Sequence, residues 1–487
     1  MNLGESIRKG AKWLIAGNLG NQVFQFAFGV VLARLLVPAD FGMLVTMQVF
    51  TGVVGMIASG GMGEALVRAK KADEHDFNVV FTMQLSIGVL IYLAFFFFSP
   101  AIALAFNEPL YVDLIRISAL SFLLRPMMNS RNNWLQREMR FKDSALVGFI
   151  AAIFSGGISI IMAWAGMGVL SLILSGLAGT LMGIILLDRV TPRRPRIIFD
   201  IDTARIHSSY GLKSSANELV SYLRKQTSNL IISHFAGPGS VGLYNKAESL
   251  AMLPLATISG AVYSPVFRAM AKVQDDTAQV RYLFYRMISL LVVYTLPFYT
   301  GLTWLAEPFI SVVYGEKWLL AATPLAIVSL SGLIFCIGHP CGAVLAARNL
   351  LGREVFIQAA TWAFVAIASL IGLHFGGLPG VAWGVVASHL FSTTLMYYLS
   401  SQSVQGSMRE LTNAIAPGVL LNVLMLAVLW GLDMMLPSGF HEQQQATYLL
   451  LSATVGAITY GTGFLFLPIA ALTEESLRWR KTLRLAR

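Results

Sequence analysis

Charged side chains are scarce in this chain. Asp, Glu, Lys and Arg make up 12% of its 487 residues, about half of the ~25% usual in soluble domains, which excludes a string of ordinary soluble domains. Cysteine is rarer still, with Cys336 and Cys341 the two present. Five apart in one apolar stretch, they cannot bridge each other on a helix. No CxxC or Cys/His cluster suggests a metal, so both read as core residues and no cofactor is expected. A Walker loop, a GxGxxG after a strand, HExxH and GxSxG in a suitable setting are also missing, and no soluble stretch is long enough to hold an active site. A membrane polymerase or glycosyltransferase would need a substantial exposed catalytic loop or carboxylate cluster, so the chain is not read as an enzyme.

What is present is apolar: 56% of residues are hydrophobic, with 43 Gly and 20 Met, and the mean hydropathy is +0.67. The apolar residues come in blocks of about 20–25, the length that a hydrocarbon core of ~30 Å demands of a spanning helix. The expected fold is therefore an all-α integral membrane protein. Fourteen spans are placed near 12–35, 41–66, 78–100, 112–130, 144–166, 168–188, 208–235, 241–267, 281–304, 322–346, 354–375, 380–400, 411–436 and 446–470. The basic start is read as a retained helix, because Asn18, Asn21, Gln22 and Gln25 interrupt the apolar run and no small-residue cleavage site follows.

The net charge of +10 would suit a nucleic-acid binder if it formed a patch, but it lies in the joints between spans. Counted from a cytoplasmic N-terminus, the inside segments hold 26 Lys and Arg, against Lys317 alone in the outside loops. Positive loops stay cytoplasmic, so both termini are expected there and no nucleic acid is expected as a partner. The basic face is read as topology, with docking of lipid head groups or a partner enzyme as the alternative.

The joint 189–207, rich in Pro and Arg, divides the chain into a six-helix bundle over 1–188 and a second over 208–400, with two further helices and a basic tail over 401–487. The halves resemble each other at an offset of 200. Pro38-Ala39-Asp40-Phe41-Gly42 stands against Pro238-Gly239-Ser240-Val241-Gly242, and Ile57-Ala58-Ser59-Gly60 against Thr257-Ile258-Ser259-Gly260; a later echo pairs Arg137-Glu138 with Arg353-Glu354. Six helices per half put equivalent segments in one orientation, so the repeat is parallel, an arrangement transporters use with the substrate path between halves.

Ionisable groups inside spans are costly, about 3 kcal/mol or more each, and are functional candidates by default. At 100° per residue, Ser214, Asn217, Glu218, Ser221, Arg224, Lys225 and Ser228 share one face of segment seven, which should line water. Segment one repeats this more mildly with Asn18, Asn21, Gln22 and Gln25. Arg125 lies deep in segment four, and Lys246 with Glu248 in the outer half of segment eight. Pairing of Glu218 with Arg224 or Lys225, and of Lys246 with Glu248, is the structural alternative. It would still leave a cationic surplus, which points to an anionic cargo such as a phosphate or carboxylate. Lys213, Arg286, Glu64, Arg34 and Arg116 sit near the membrane edges and are read as snorkelling. Pro126, Pro254, Pro265, Pro297, Pro324 and Pro340 are candidate hinges or plain packing. Gly179/Gly183 and Gly338/Gly342 read as helix-packing notches, and His234 and His339 as structural.

Four segments carry a family resemblance: Leu32-Ala33-Arg34-Leu35-Leu36-Val37-Pro38-Ala39-Asp40-Phe41-Gly42, Leu135-Gln136-Arg137-Glu138-Met139-Arg140-Phe141, Val241-Gly242-Leu243-Tyr244-Asn245-Lys246-Ala247 and Tyr314-Gly315-Glu316-Lys317-Trp318. Over about residues 5–400 the chain resembles polysaccharide exporters of the multidrug/oligosaccharidyl-lipid/polysaccharide superfamily, in the lipopolysaccharide-biosynthesis or colanic-acid-exporter-like branch. The resemblance implies a flippase for undecaprenyl-diphosphate-linked sugar repeat units in the bacterial cytoplasmic membrane. It further implies two six-helix bundles around a cationic cavity, and a polysaccharide polymerase and export machinery as partners. Drug and cation antiporters of the same superfamily often carry a carboxylate in the first helix, and segment one here has none.

Overall fold

The computed structural model describes residues 20–487 apart from 60, 70, 71, 193, 438, 484, 486 and 487. Asn18 lies outside the described residues. Helices account for nearly all of them, and no strand occurs among them. Helix α1 covers 20–35. It is followed by α2 (Pro38–Ser59), α3 (Met62–Arg68), α4 (Glu74–Ala105), α5 (Tyr111–Ala119), α6 (Ser121–Arg137), α7 (Phe141–Trp164) and α8 (Val169–Val190). Then come α9 (Ile201–Lys272), α10 (Thr277–Trp304), α11 (Ala306–Tyr314), a 3-10 turn (Glu316–Ala321), α12 (Ala322–Ser329), α13 (Gly332–Ala347) and α14 (Leu351–Ser403). The chain ends with α15 (Met408–Met435), α16 (Phe440–Gln443), α17 (Gln445–Phe466) and α18 (Thr473–Thr482).

Among the described residues, eight helices are long and apolar enough to cross a membrane: α2, α4, α7, α8, α10, α14, α15 and α17. The 3-10 turn and α12 make a ninth with α13 across a 54° bend. The remaining helices are mostly too short for that count, α6 having 17 residues, while Arg224 and Lys225 interrupt the apolar run of α9. Helix α14, at 53 residues, contains one residue of non-helical backbone, Gly377. Its two arms fold back on each other so closely that a Cβ on Gly372 would strike the Gly380 carbonyl, and one on Gly384 the Ala368 carbonyl. Helix α9 is interrupted at Gly237 (φ 79°, ψ 175°). Proline is thus not where the backbone breaks. Pro126, Pro297 and Pro340 lie inside continuous helices, because a proline removes one hydrogen bond whereas positive φ ends the ladder.

The chain divides into two compact units, Met1–Gly242 and Leu243–Arg487. The first is centred on Met47, Phe95, Tyr111, Leu114, Ile115 and Phe122. The second is centred on Phe284, Ile288, Leu291, Val292, Val344 and both cysteines, which are fully buried as expected of core residues. Apolar side chains are also abundant outside these cores. Phe97, Trp164, Phe375 and Met435 are 71%, 82%, 83% and 85% exposed, as lipid-facing spans require and a water-soluble surface would not tolerate. Both units contain the same turn, at Gly168 (φ 53°, ψ −133°) and Gly377 (φ 56°, ψ −140°).

The joint between α8 and α9 is strapped down. The Arg196 N–H donates to Asn78 Oδ1 and the Ile198 N–H to Thr82 Oγ1, both at 2.9 Å. Asp200 then caps α9, accepting from the N–H groups of Asp202 and Thr203 and from the Thr203 hydroxyl, while His75 Nε2 lies 3.0 Å from its Oδ2. These partners hold the Asp200 carboxyl well below the ordinary carboxylate range.

Candidate functional site

The segment of α9 before Gly237 packs against α2. The Tyr222 hydroxyl donates to the Gln48 carbonyl at 2.6 Å, and Thr46 and Ser233 share a hydrogen bond between hydroxyls. Gly52 makes room for the Tyr222 hydroxyl, since a Cβ there would fall on it. Just beyond the break the two motifs at offset 200 meet. A Cβ on Gly42 would strike the Pro238 carbonyl, and one on Gly242 the Pro38 carbonyl. The repeat is thus built into a reciprocal crossing of backbones that only glycine permits.

This packing buries the end of the α9 polar stripe and the residues beside it. Ser228, Asn229 and Ser233 are each 2% exposed, and Asn229 donates to Gln226 at 2.9 Å. Polar side chains in an apolar segment find partners within the protein rather than solvent, Asn229 on its own helix and Ser233 on α2. Lys225 is exposed, while Arg224 and Ser221 are half-buried. Asn217 and Glu218 lie on the helical stretch, but their side chains are outside the described residues. On α1, Phe24 and Phe28 turn toward α7, with the Phe24 ring 5.8 Å from Phe149 and Phe28 over Gly156. Gln25 is left exposed, and Asn21 and Gln22 half-buried.

Arg125 projects from α6 into a cavity of about 430 Å³ within the first unit, lined chiefly by Gly52 and Gly55 of α2, Gln84 and Gly88 of α4, and Phe122 and Asn129 of α6. Its guanidinium lies 5.4 Å from the centroid of the Phe122 ring. A Cβ on Gly55 would sit 3.0 Å from Arg125 Nη1, and one on Gly88 would strike the Phe122 carbonyl. Two glycines therefore set how closely α2 and α4 approach α6, and so where the guanidinium lies.

Lys246 belongs to the second unit. Its ammonium stands 5.1 Å from the Tyr314 ring centroid and 5.3 Å from that of Trp318, both rings being buried. Two of the family-like segments, 241–247 and 314–318, thus meet as cation and aromatic box. Glu248 is half-buried. Sequence reasoning singled out Lys246 but missed the rings, because a helix-by-helix reading has no means of bringing a loop motif 70 residues away onto α9.

Several edge charges are paired rather than snorkelling. Arg286 binds Glu475 at 2.6 Å, and Arg116 stacks over Phe96 at 4.4 Å while donating to its carbonyl. Arg137 caps the end of α3 through the Leu66 and Ala69 carbonyls at 2.7 and 2.8 Å. Arg348, rather than Arg353, does the comparable work in the second unit, on the Gln274 carbonyl and the Thr277 hydroxyl. Gly179 is a packing notch against Ser155, and Gly338 one against Thr393. His234 meets Phe106 edge to face and His339 packs at a tilt on Tyr263, and no cluster of metal-ligating side chains occurs among the described residues.

Apolar helices notched by glycine, cations held within them and lipid-facing side chains around them define a multi-pass, all-helical membrane protein. The chain belongs to the polysaccharide biosynthesis protein family, whose profile matches residues 31–323. It is 25% identical over 413 residues to the lipopolysaccharide biosynthesis protein WzxC of Escherichia coli (strain K12), covering 84% of this chain and 83% of that one. It is 23% identical to the teichuronic acid biosynthesis protein TuaB of Bacillus subtilis (strain 168), over 99% of both. The fold is similar to that of a solved structure of the lipid II flippase MurJ, described as an inward closed conformation, with a TM-score of 0.76 at 16% identity over 96% of this chain and 99% of that one. An inward-facing multidrug transporter of the MATE family follows at 0.65, with 16% identity over 79% and 94%.

Proposed function

We propose that this chain is a flippase that moves an undecaprenyl-diphosphate-linked oligosaccharide, or a related polysaccharide precursor, from the inner to the outer leaflet of the bacterial cytoplasmic membrane. The observation that carries the reading is family membership over 31–323 joined to a fold shared along nearly its whole length with a lipid II flippase. The protein has fourteen spans with both termini cytoplasmic and acts as a transporter rather than an enzyme. Two six-helix bundles, 1–188 and 208–400, are joined by the basic segment 189–207, and the helices and tail of 401–487 follow. A polysaccharide polymerase and export machinery receive the product.

A diphosphate carries negative charge that a bare bilayer would make very costly to cross. Arg224, Lys225, Arg125 and Lys246 offset that cost. Asn217, Ser221, Asn18, Asn21, Gln22 and Gln25 meet the sugar, while Glu218 and Glu248 compete with the phosphate for the cations and promote its release. The halves open the site alternately to each side.

Deleting the gene is expected to leave lipid-linked repeat units facing the cytoplasm and to reduce a surface or secreted polysaccharide. Normal glycan together with new sensitivity to dyes or drugs would instead identify a cation-coupled antiporter. Arg224→Glu and Lys225→Glu should each abolish export at normal membrane abundance, whereas Lys225→Arg should keep most of it.

A further inference from the structure

The cavity around Arg125 contains more than one polar group. Gln84 on α4 is 6% exposed, lines the cavity beside Arg125 and Asn129, and forms no side-chain hydrogen bond with any described residue. Its amide group is accessible from the cavity rather than sealed among apolar side chains, so its hydrogen-bonding capacity is open to a group that enters. Asn129 and Arg125 likewise make no side-chain hydrogen bond to described residues. Among those residues no carboxylate lies within 4.0 Å of Arg125, although Arg131, six residues on, is matched with Asp188 at 2.9 Å. Three polar side chains with no hydrogen-bond partner among the described residues therefore converge on one space. Arginine offers donors only, and an amide can donate, so the group that satisfies all three is an acceptor bearing negative charge.

The walls fit that reading. Gly52, Gly55 and Gly88 let the Tyr222 hydroxyl, the Arg125 guanidinium and the Phe122 backbone come close to α2 and α4, and Phe122 gives the guanidinium an apolar floor that leaves its N–H edge available. A volume of about 430 Å³ lies in the range of small-molecule sites.

We propose that the cavity between α2, α4 and α6 is an oxyanion site in which Arg125 supplies the charge and Gln84 and Asn129 the flanking hydrogen bonds. Its ligand is a phosphate or carboxylate carried by the cargo. This rests on the flippase reading for its cargo and adds to it two binding residues, Gln84 and Asn129. It also places an anion contact within the first unit, beside Tyr222 of α9.

The test uses the full chain purified in lipid nanodiscs, titrated at constant ionic strength with inorganic pyrophosphate and separately with glucuronate. The expected result is saturable binding that Arg125→Ala and Gln84→Leu each weaken at least tenfold and that Arg116→Ala leaves within twofold. Pyrophosphate binding would trace the ligand to the diphosphate linker, and glucuronate binding to an acidic sugar; either supports the site. Gly55→Ala provides a variant that keeps the charge, because its methyl would displace the guanidinium and should weaken binding as well. Binding of neither anion, or binding unchanged in Arg125→Ala and Gln84→Leu, overturns the proposal. The flippase reading stands or falls separately, on the deletion phenotype, since these titrations need no transport.

Discussion

The reciprocal crossing at Gly42 and Gly242 allows a perturbation whose size can be worked from geometry. In Gly42→Ala the new methyl lands on the Pro238 carbonyl and 2.9 Å from Val241 Cγ1; in Gly242→Ala it lands on the Pro38 carbonyl and 3.1 Å from the backbone nitrogen of Gly42. These obstacles are backbone, so no rotamer change relieves them and the helices must separate. Overpacking of this kind costs about 1–3 kcal/mol. Separation also stretches the bonds joining Thr46 to Ser233 and Tyr222 to Gln48, each contributing about 1 kcal/mol. Either variant should therefore lose on the order of 3 kcal/mol. Because one displacement relieves both clashes, the double variant should cost clearly less than the two singles together. Gly148 and Gly157 on α7 have no neighbour within 4 Å of the place a methyl would take, and alanine there should be neutral or stabilising by up to about 1 kcal/mol. The assay is the apparent melting midpoint of purified protein at one fixed scan rate, since unfolding of such proteins is commonly irreversible. Midpoints at Gly42→Ala and Gly242→Ala equal to those of the α7 controls, or strictly additive losses in the double variant, would refute the crossing as a close backbone contact.

Three further outcomes follow from the same structure. Single cysteines at 71, 137, 194 and 480 should resist impermeant thiol reagents added outside intact cells while those at 107, 317 and 440 react; outside labelling at 194 would invert the topology. Asp200→Asn should expose the joint to trypsin at Arg194 or Arg196. In the unaltered protein, protection should persist and strengthen as pH falls from 8 to 5, because the Asp200 carboxyl, depressed first by its bond to His75, stays ionised there, while His75, raised above 6.5 by the same bond, gains its proton and loses that contribution only as pH rises; protection that disappears as pH falls within that window would remove Asp200 as the anchor. Glu475→Ala should destabilise the second unit by about 2 kcal/mol by leaving Arg286 without its charged partner, and Arg286→Met with Glu475→Leu should restore much of that loss; equal melting of the single and double variants would contradict this.

The all-helical membrane class was legible because a hydrocarbon core imposes both length and composition on each span, and the repeat was legible because it reuses Pro-x-x-x-Gly at one offset. The burial of the α9 positions beside the polar face was not legible, for a physical reason. Helical periodicity says which residues share a face but not what that face meets, and Ser228, Asn229 and Ser233 spend their polarity on burial. Gln84 went unnoticed because an amide inside a long apolar run looks like tolerated polarity until its missing partner is seen. The prolines drew attention away from Gly237 and Gly377, where the backbone leaves the helix.

The residues that make the chain resemble its family are occupied with architecture. Gly42 and Gly242 let two backbones cross, and Arg137 caps α3. A scaffold needs such contacts whatever the cargo, so the match over 31–323 carries the fold further than it carries the substrate. Discrimination between cargoes then falls to side chains outside those motifs that face open space with unmet hydrogen-bonding capacity. Within the first unit, Arg125, Gln84 and Asn129 meet that description. Exchanging them is accordingly expected to change which anion is held, whereas exchanging the motif glycines changes whether the protein folds.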